Sequence, residues 1–572
     1  MLYEKRNSGF VKQKFRTTIR KVGAVCVILA CWYCELFADI PKSTSAVLRS
    51  DANAFLVPSA FEIEPWFAAG VTNGDRSPEF IARLRDASTK GNVIVEGFLG
   101  MMLVKGEGTA PEVGEGMRLL HSSAAKGCLP AMNQLGYIYL EGHYGVPADP
   151  AEALKWIRSA AQRGSDIAQF NLGYCYERGL GVETDFAQAA SWYGLAAQQT
   201  NVVAIGSLGV CYMEGRGIPR DHAVAERLLK YAMEAGNVRA KLNLGRLYVD
   251  KGYLTNLFQV GVRFIHEAAD AGDFRAQAEL GSLYFYGKGV PKDPTNSIAW
   301  TRKAAEQGLA EAQCNLANAL AAGKFVKQNL VEAKQWAESA ARHGMPEAYF
   351  ILGSMAATDD GSENALAQAN EWFRKAAHRG HRGAQLRLAS AYLQGQGMPT
   401  NHTEGFLWLR RAAEESWPPA ELLLASYYSG GGAGLTKDSE QAVYWMQRSA
   451  EHGNVHAQYY LASWHLHGHH TPKDISQAAR WFRRAAEQGH PESQNSIGYS
   501  CETGDAGYKD LVEAYMWYQL ALKQGEPTSK VNLKRLITQL SPQQMLDGER
   551  RVQAFRPGLV YLPNPVLSPS ID

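Results

Sequence analysis

Apolar residues recur along this chain at two nested periods. The short period is helical: Ala131, Leu135 and Tyr139 stand four apart, an i, i+4, i+8 stripe that gives a helix one apolar face. The long period is 36 residues, twice stretched to 37. Ala131, Ala168, Ala204, Ala240, Ala276, Ala312, Ala348, Ala384, Ala420 and Ala457 hold one place in it, followed by Ser493. Four residues on stands Leu with Gly or Ala behind it, from Leu135-Gly136 to Leu461-Ala462, then Ile497-Gly498. A large aromatic keeps the same register: Trp156, Trp192, Trp300, Trp336, Trp372, Trp408, Trp445, Trp481 and Trp517, with Leu228 and Phe264 in the two gaps. Nine of the 13 tryptophans on one register exclude chance.

Each period reads as two helices. In the second unit, Gly142 and Gly145 break helix A, and helix B runs from Ala151 to Ala161 until Gly164 stops it. Asp149 stands where helix B needs an acceptor for its unpaired first-turn N–H groups. Asp185, Asp221, Asp293, Asn329, Asn401, Asp438, Asp474 and Asp510 hold the same slot. The closing glycines, such as Gly236, Gly308 and Gly489, suit the left-handed position past a helix end. The small residue after each Leu lets helix B approach closely. The tryptophan of helix B is expected to bury ~200 Å², up to about 5 kcal/mol gross, between its own helix A and the next unit.

The full pattern, A-x-x-x-L-G-x-x-Y-x-x-G-x-G-V-x-x-D-x-x-x-A-x-x-W-x-x-x-A-A-x-x-G, is similar to the Sel1-like repeat family, a relative of the tetratricopeptide repeat; residues 167–200 match it almost throughout. The resemblance implies an all-α fold, a right-handed α/α superhelical solenoid of about twelve repeats over residues 93–525 with helical caps. It also implies a non-enzymatic scaffold or adaptor that binds a protein or peptide along its concave face. Three units depart from the pattern. The fifth lacks the Gly-x-Gly turn and has Asn256 one place early, the seventh has Ala321 to Lys324 there, and the eighth has Thr358-Asp359-Asp360-Gly361. Ser77-Pro78 opens a lone capping helix over 77–92. Pro527 to Leu540 and Ser541-Pro542 to Phe555 form a closing hairpin within 526–556. Residues 39–76 give no firm element, and 557–572 read as a flexible tail.

Charge changes the picture at one end. Residues 1–21 carry seven basic side chains against Glu4, so the net charge of +2 leaves residues 39–572 at about −3. That body offers no basic surplus for nucleic acid. Behind the basic head, Val22 to Ala38 is an apolar run, shorter than the ~20 residues of a membrane span. It reads as a secretory signal or anchor (1–38): cleaved after Ala38, lipidated at Cys31 of Ile28-Leu29-Ala30-Cys31, or retained. An exported protein is expected, periplasmic or anchored facing the periplasm, with membrane association through residues 22–38. The five cysteines beyond this segment (Cys128, Cys175, Cys211, Cys314 and Cys501) form neither a disulfide framework nor a zinc pattern.

Catalytic motifs are absent, and no cofactor or metal is expected. The Gly-x-Gly pieces lie between helices, as at Gly179 and Gly181, and read as turns. Ser123-Ala-Ala-Lys126 has the S-x-x-K form of β-lactam-acylated enzymes without its partner motifs, and β-lactam interaction stays an alternative because the resemblance extends to cysteine-rich relatives linked to it. Their cysteine pairing is missing: opposite Cys175 and Cys211 stand Ala197 and Met233. The eleventh unit gathers His452, His456, His465, His467, His469 and His470, with His490 behind them. Gly468 interrupts the helix that would align them on a metal, so they read as surface histidines.

What remains is the A-helix face. Counted from each Leu-Gly pair, the inward slots hold Asn133, Tyr137, Ile167, Phe170, Tyr174, Arg239, Arg246, Ser282, Phe285, Tyr286, Asn318, His456, Tyr459 and Tyr499. Aromatics beside amide and guanidinium donors suit a peptide track. A carbohydrate or peptidoglycan partner, stacking on the same rings, is the other reading.

Overall fold

The computed structural model describes residues 67, 71, 74–251, 257–358, 362–505, 507 and 509–558. The expectations for the leader, for Asn256, for the turn at 359–361 and for the tail beyond 558 fall outside them. Among the described residues the chain forms 27 α-helices and no strand. A single helix, Pro78–Thr89, comes first. Twelve A/B pairs follow, from Val93–Lys105 with Val113–Ala125 to Pro491–Thr503 with Leu511–Lys523; Pro527–Leu536 and Pro542–Ala554 come last. The chain divides into two compact units, Met1–Ala319 with Lys324–Lys327, and Leu320–Gly323 with Gln328–Asp572. The first holds apolar clusters centred on residues such as Leu99, Leu135, Tyr193, Leu244 and Leu280. The second is built around Leu388, Leu424, Phe482 and Tyr518.

Local chemistry sets the helix ends. All nine residues of the Asp/Asn slot, from Asp149 to Asp510, accept main-chain N–H groups of the B helix behind them. At the other end Gly164, Gly236, Gly308 and Gly489 take φ of 90°, 91°, 89° and 98°. Two units have no glycine there: Thr200 (φ 65°) and Ser416 (φ 58°) are held in the same left-handed conformation, which costs a side-chain-bearing residue ~1–2 kcal/mol.

The notch behind each Leu is where helix B meets helix A. A Cβ added to Gly173 would come 2.8 Å from the Tyr193 ring, and one on Gly498 the same distance from Tyr518. The side chain that enters the notch follows the periodic aromatic by one residue. This corrects the expectation for the tryptophans. Trp408, Trp445 and Trp517 are buried, but Trp156, Trp192, Trp300, Trp336, Trp372 and Trp481 are half-buried because the next residue takes the closest approach. Three of them carry a cation one turn on: Lys303 Nζ lies 3.6 Å from the Trp300 ring centre, Lys375 Nζ 4.2 Å from that of Trp372, and the Arg484 guanidinium 4.6 Å from that of Trp481.

A polar bridge, invisible to a search for apolar periodicity, ties successive helices. The residue after the opening Ala is often a buried Gln. Gln458 Nε2 donates to Ala450 O of the preceding B helix (3.0 Å), and its Oε1 accepts from Gln488 Nε2 at the end of its own unit's B helix (2.7 Å). Gln169 with Gln199, Gln277 with Gln307 and Gln494 with Gln524 repeat the arrangement at 2.8 Å. Each bridge links three helices and adds a second hydrogen bond to a helix-end carbonyl that already accepts a main-chain N–H, as Ala450 O does from Gly453 N.

The ends differ from expectation in detail. Phe67 and Val71, from a segment that gave no element, are buried against Phe80 and Leu99. The penultimate helix stops at Leu536, not Leu540, and continues as a 3₁₀ turn, Ile537–Gln539. Ser541 and Gln544 form a reciprocal capping box on the last helix, which ends at Ala554. Phe555 leaves that helix extended, and its ring centre lies 5.5 Å from that of Trp517.

Thr200→Gly is expected to stabilise the protein by ~1 kcal/mol in urea denaturation, by relieving the left-handed strain. Gln458→Leu is expected to destabilise it by about 0.5–1.5 kcal/mol in urea denaturation, because the hydrogen bonds to Ala450 O and from Gln488 Nε2 are lost while Ala450 O keeps its bond from Gly453 N.

Candidate binding face on the A helices

Consecutive A helices repeat their side chains in columns 36 residues apart, so a surface feature forms wherever one column changes size or charge. Such a place lies on the helices Asp166–Arg178, Val202–Glu214 and Val238–Lys251 and the first turn of Phe274–Tyr286. The column through Phe170 and Leu242 drops to Gly206 on the middle helix, with Ser207 beside it. The result is a cavity of about 740 Å³. Phe170, Tyr174, Phe186, Val203 and Val210 supply its apolar lining.

Five arginines line the same cavity: Arg178, Arg216, Arg239, Arg246 and Arg275. Three carboxylates face them, each already engaged. Glu177 accepts from the Tyr193 hydroxyl at 2.6 Å. Glu214 lies 2.5 Å from Arg216 Nε. Asp273 caps its own helix, accepting from Arg275 N and Ala276 N at 2.9 Å. Arg246 pairs outward with Glu279 at 3.0 Å. Burial first, then the neighbouring Arg239, Arg178 and Arg246, push the Arg275 guanidinium below its usual range.

The structure divides the residues read from the sequence. Phe170, Tyr174, Arg239 and Arg246 meet at this cavity. Phe285 and Tyr286 form an edge-to-face pair at 5.1 Å, extended by Phe325. His456 and Tyr459 gather on His490, at 5.5 and 4.9 Å. Asn133, Tyr137, Ile167, Asn318 and Tyr499 join none of these groups. Asn133, Tyr137 and Phe170 are buried; Tyr137 stacks on His143 at 4.3 Å, and Asn133 donates to Ser165 Oγ. Tyr286, His456 and Tyr499 are exposed. Sequence reasoning missed Arg178, Arg216, Arg275 and Gly206. The signal was present in the columns: Ile167, Val203, Arg239 and Arg275 put two arginines one unit apart.

Other candidate chemistry resolves into packing. Ser123 is buried and donates to Val93 O at 2.7 Å, while Lys126 pairs with Glu96 at 2.8 Å. Helix Val455–His467 ends on Gly468 (φ 76°), so His469 and His470 leave the helix. The two ring nitrogens of His470 each lie 2.9 Å from a serine, Ser429 and Ser439. Among the described residues no group of three or more His, Cys, Asp or Glu is placed to hold a metal ion. Cys175, Cys211 and Cys501 are buried thiols outside any disulfide, and burial pushes their pKa up to about 12.

Comparison with known proteins agrees with the repeat. The family model described as Sel1 repeat matches residues 98–128, 129–165, 166–201, 203–237, 274–309, 310–345, 346–381, 383–416, 418–454, 455–490 and 491–526. The unit it passes over, 238–273, still forms a helix pair, Val238–Lys251 with Leu257–Asp270. Among solved structures, the chain is similar to a protective antigen of uropathogenic Escherichia coli strains that displays an SLR fold. The two share 28% identity over 83% of this chain and 94% of that one, with a TM-score of 0.50. A Sel1 repeat protein from Oxalobacter formigenes is 31% identical over 54% of this chain and 90% of its own, with a TM-score of 0.42. No curated protein matches the chain.

In the native protein Cys175, Cys211 and Cys501 are expected to resist iodoacetamide at pH 8 and to label once guanidinium unfolds the chain. Peptide mass spectrometry of the two samples reads the difference.

Proposed function

Because the chain belongs to the Sel1 repeat family, whose members are generally protein-interaction scaffolds, we propose that it is a non-enzymatic adaptor that binds a protein or peptide along its A-helix face, in the cell envelope. The observation that supports this reading is the set of exposed tyrosines on the A helices; B helices expose Tyr231 and Tyr444 to a like extent, so the choice of the A-helix face follows the resemblance to tetratricopeptide arrays. Tyr286, Tyr460 and Tyr499, each on an A helix, leave 56%, 47% and 47% of their surface to solvent. Large aromatic rings held on rigid helices bury much area at little entropic cost, which makes them effective anchors for a partner chain. The envelope assignment rests on the sequence, a basic head followed by the apolar run from Val22 to Ala38. No helix among the described residues is long and apolar enough to cross a membrane. No reaction is proposed.

Site-specific photocrosslinking in cells, followed by fractionation, tests both halves. A photoreactive residue at Tyr286 or Tyr499 is expected to capture a protein in the envelope fraction. The same residue at Tyr231 or Leu330, exposed positions on B helices (51% and 52%), is expected to capture none. Equal capture from both sets, capture of glycan only, or recovery in the cytosol overturns the proposal.

A further inference from the structure

We propose that the arginine-lined cavity over residues 166–275 is a docking site for an acidic peptide segment, taking two carboxylates on its guanidinium groups and an apolar side chain against Phe170, Tyr174 and Val210. The inference rests on the adaptor reading and adds the chemistry of the partner.

Charge complementarity argues for it. Residues 39–572 carry about −3, yet this cavity gathers five arginines; with Arg216 on Glu214, Arg239 beside Asp273 and Arg246 on Glu279, two guanidinium groups, Arg178 and Arg275, are left over. Among the described residues Arg178 and Arg275 have no carboxylate at ion-pair distance; the guanidinium carbons lie over the rings of Tyr174 at 5.8 Å and Phe274 at 5.7 Å. The buried Nε of Arg239 has no hydrogen-bond acceptor, and Asp273 Oδ2 lies 3.7 Å from it. Guanidinium groups left partly dry and incompletely paired are a standing cost, and a carboxylate that reaches them in a two-pronged hydrogen bond removes it.

The same observations favour a peptide over a polyphosphate or nucleic acid. Two guanidinium groups without a carboxylate match two acidic side chains and are few for a phosphate backbone. Glu177 and Glu214 on the cavity wall repel a chain charged at every residue most, whereas a peptide with two separated acidic residues can hold its carboxylates at Arg178 and Arg275 and offer its N–H groups to the wall. The apolar lining adds a contact that a phosphate chain does not use. The hollow itself depends on Gly206, where an added Cβ meets its nearest neighbours at 3.8 Å: a methyl fits, and an aromatic ring fills the space.

The test is selection of a phage-displayed random nonapeptide library on the full chain, with anisotropy of the selected labelled peptides on four proteins. Asp and Glu are expected to be enriched at least twofold over the library. Gly206→Phe and Arg239→Glu/Arg275→Glu are expected to lose binding at least tenfold, while Gly206→Ala retains it. Circular dichroism and melting confirm that the variants fold, and Gly206→Ala controls for a change at that helix position. Selection without acidic enrichment, enrichment of Lys or Arg, or binding unchanged in Gly206→Phe overturns the inference. So does tighter binding of a ten-nucleotide poly-dT, which assigns the cavity to phosphate. Loss of this result with crosslinking at Tyr286 and Tyr499 intact removes the acidic-peptide site alone and leaves the adaptor standing.

Discussion

The close approach of two helices at a residue without a bulky side chain is the contact on which this molecule rests. Gly173 receives the Tyr193 ring, Gly353 that of Phe373 and Gly498 that of Tyr518. Where a glycine faces a glycine, as at Gly100 with Gly116 and Gly245 with Gly261, each hypothetical Cβ would come within 2.8 Å of the other's carbonyl oxygen, so main chain lies against main chain. Packing this dense leaves one arrangement for each pair. A helix pair with this geometry buries only part of its apolar surface, and the unit stacked beside it covers more.

The buried glutamines show how such stacking is made specific. Apolar contact alone tolerates sliding, because it is non-directional. Gln458, bonded to the B helix before it and to the end of the B helix after it, is satisfied in one register only. The same slot elsewhere carries charge: Glu96 pairs with Lys126, and the fully buried Glu421 pairs with Arg448 and His452. A buried carboxylate without these partners would cost several kcal/mol, so register and ion pairing hold each other in place.

Repetition also makes the candidate binding face. Positions that set the packing keep their residue class from unit to unit, and the columns between them vary. Across Ile167, Val203, Arg239 and Arg275 the side chain changes from apolar to cationic, and across Phe170, Gly206 and Leu242 it disappears and returns. A cavity with a charge of its own follows from these two variations, without any departure from the helix-pair plan.

Periodicity along the chain was enough to determine the helix pairs, their Asp and Asn caps and the Leu-small notch, because each depends on residues within one unit. It also singled out Phe170, Tyr174, Arg239 and Arg246. It does not reveal which side chain enters the notch: it points to the tryptophans, most of which are half-buried, and the residue after each one takes the notch. Nor did it show the glutamine bridges, whose partners lie 30 residues apart, or the meeting of Arg178 with Arg275 across nearly three units. Those depend on how one helix pair is rotated against the next. Only the stacked tertiary structure decides that rotation, because it is set by the summed contacts of many side chains and by no single position in the repeat.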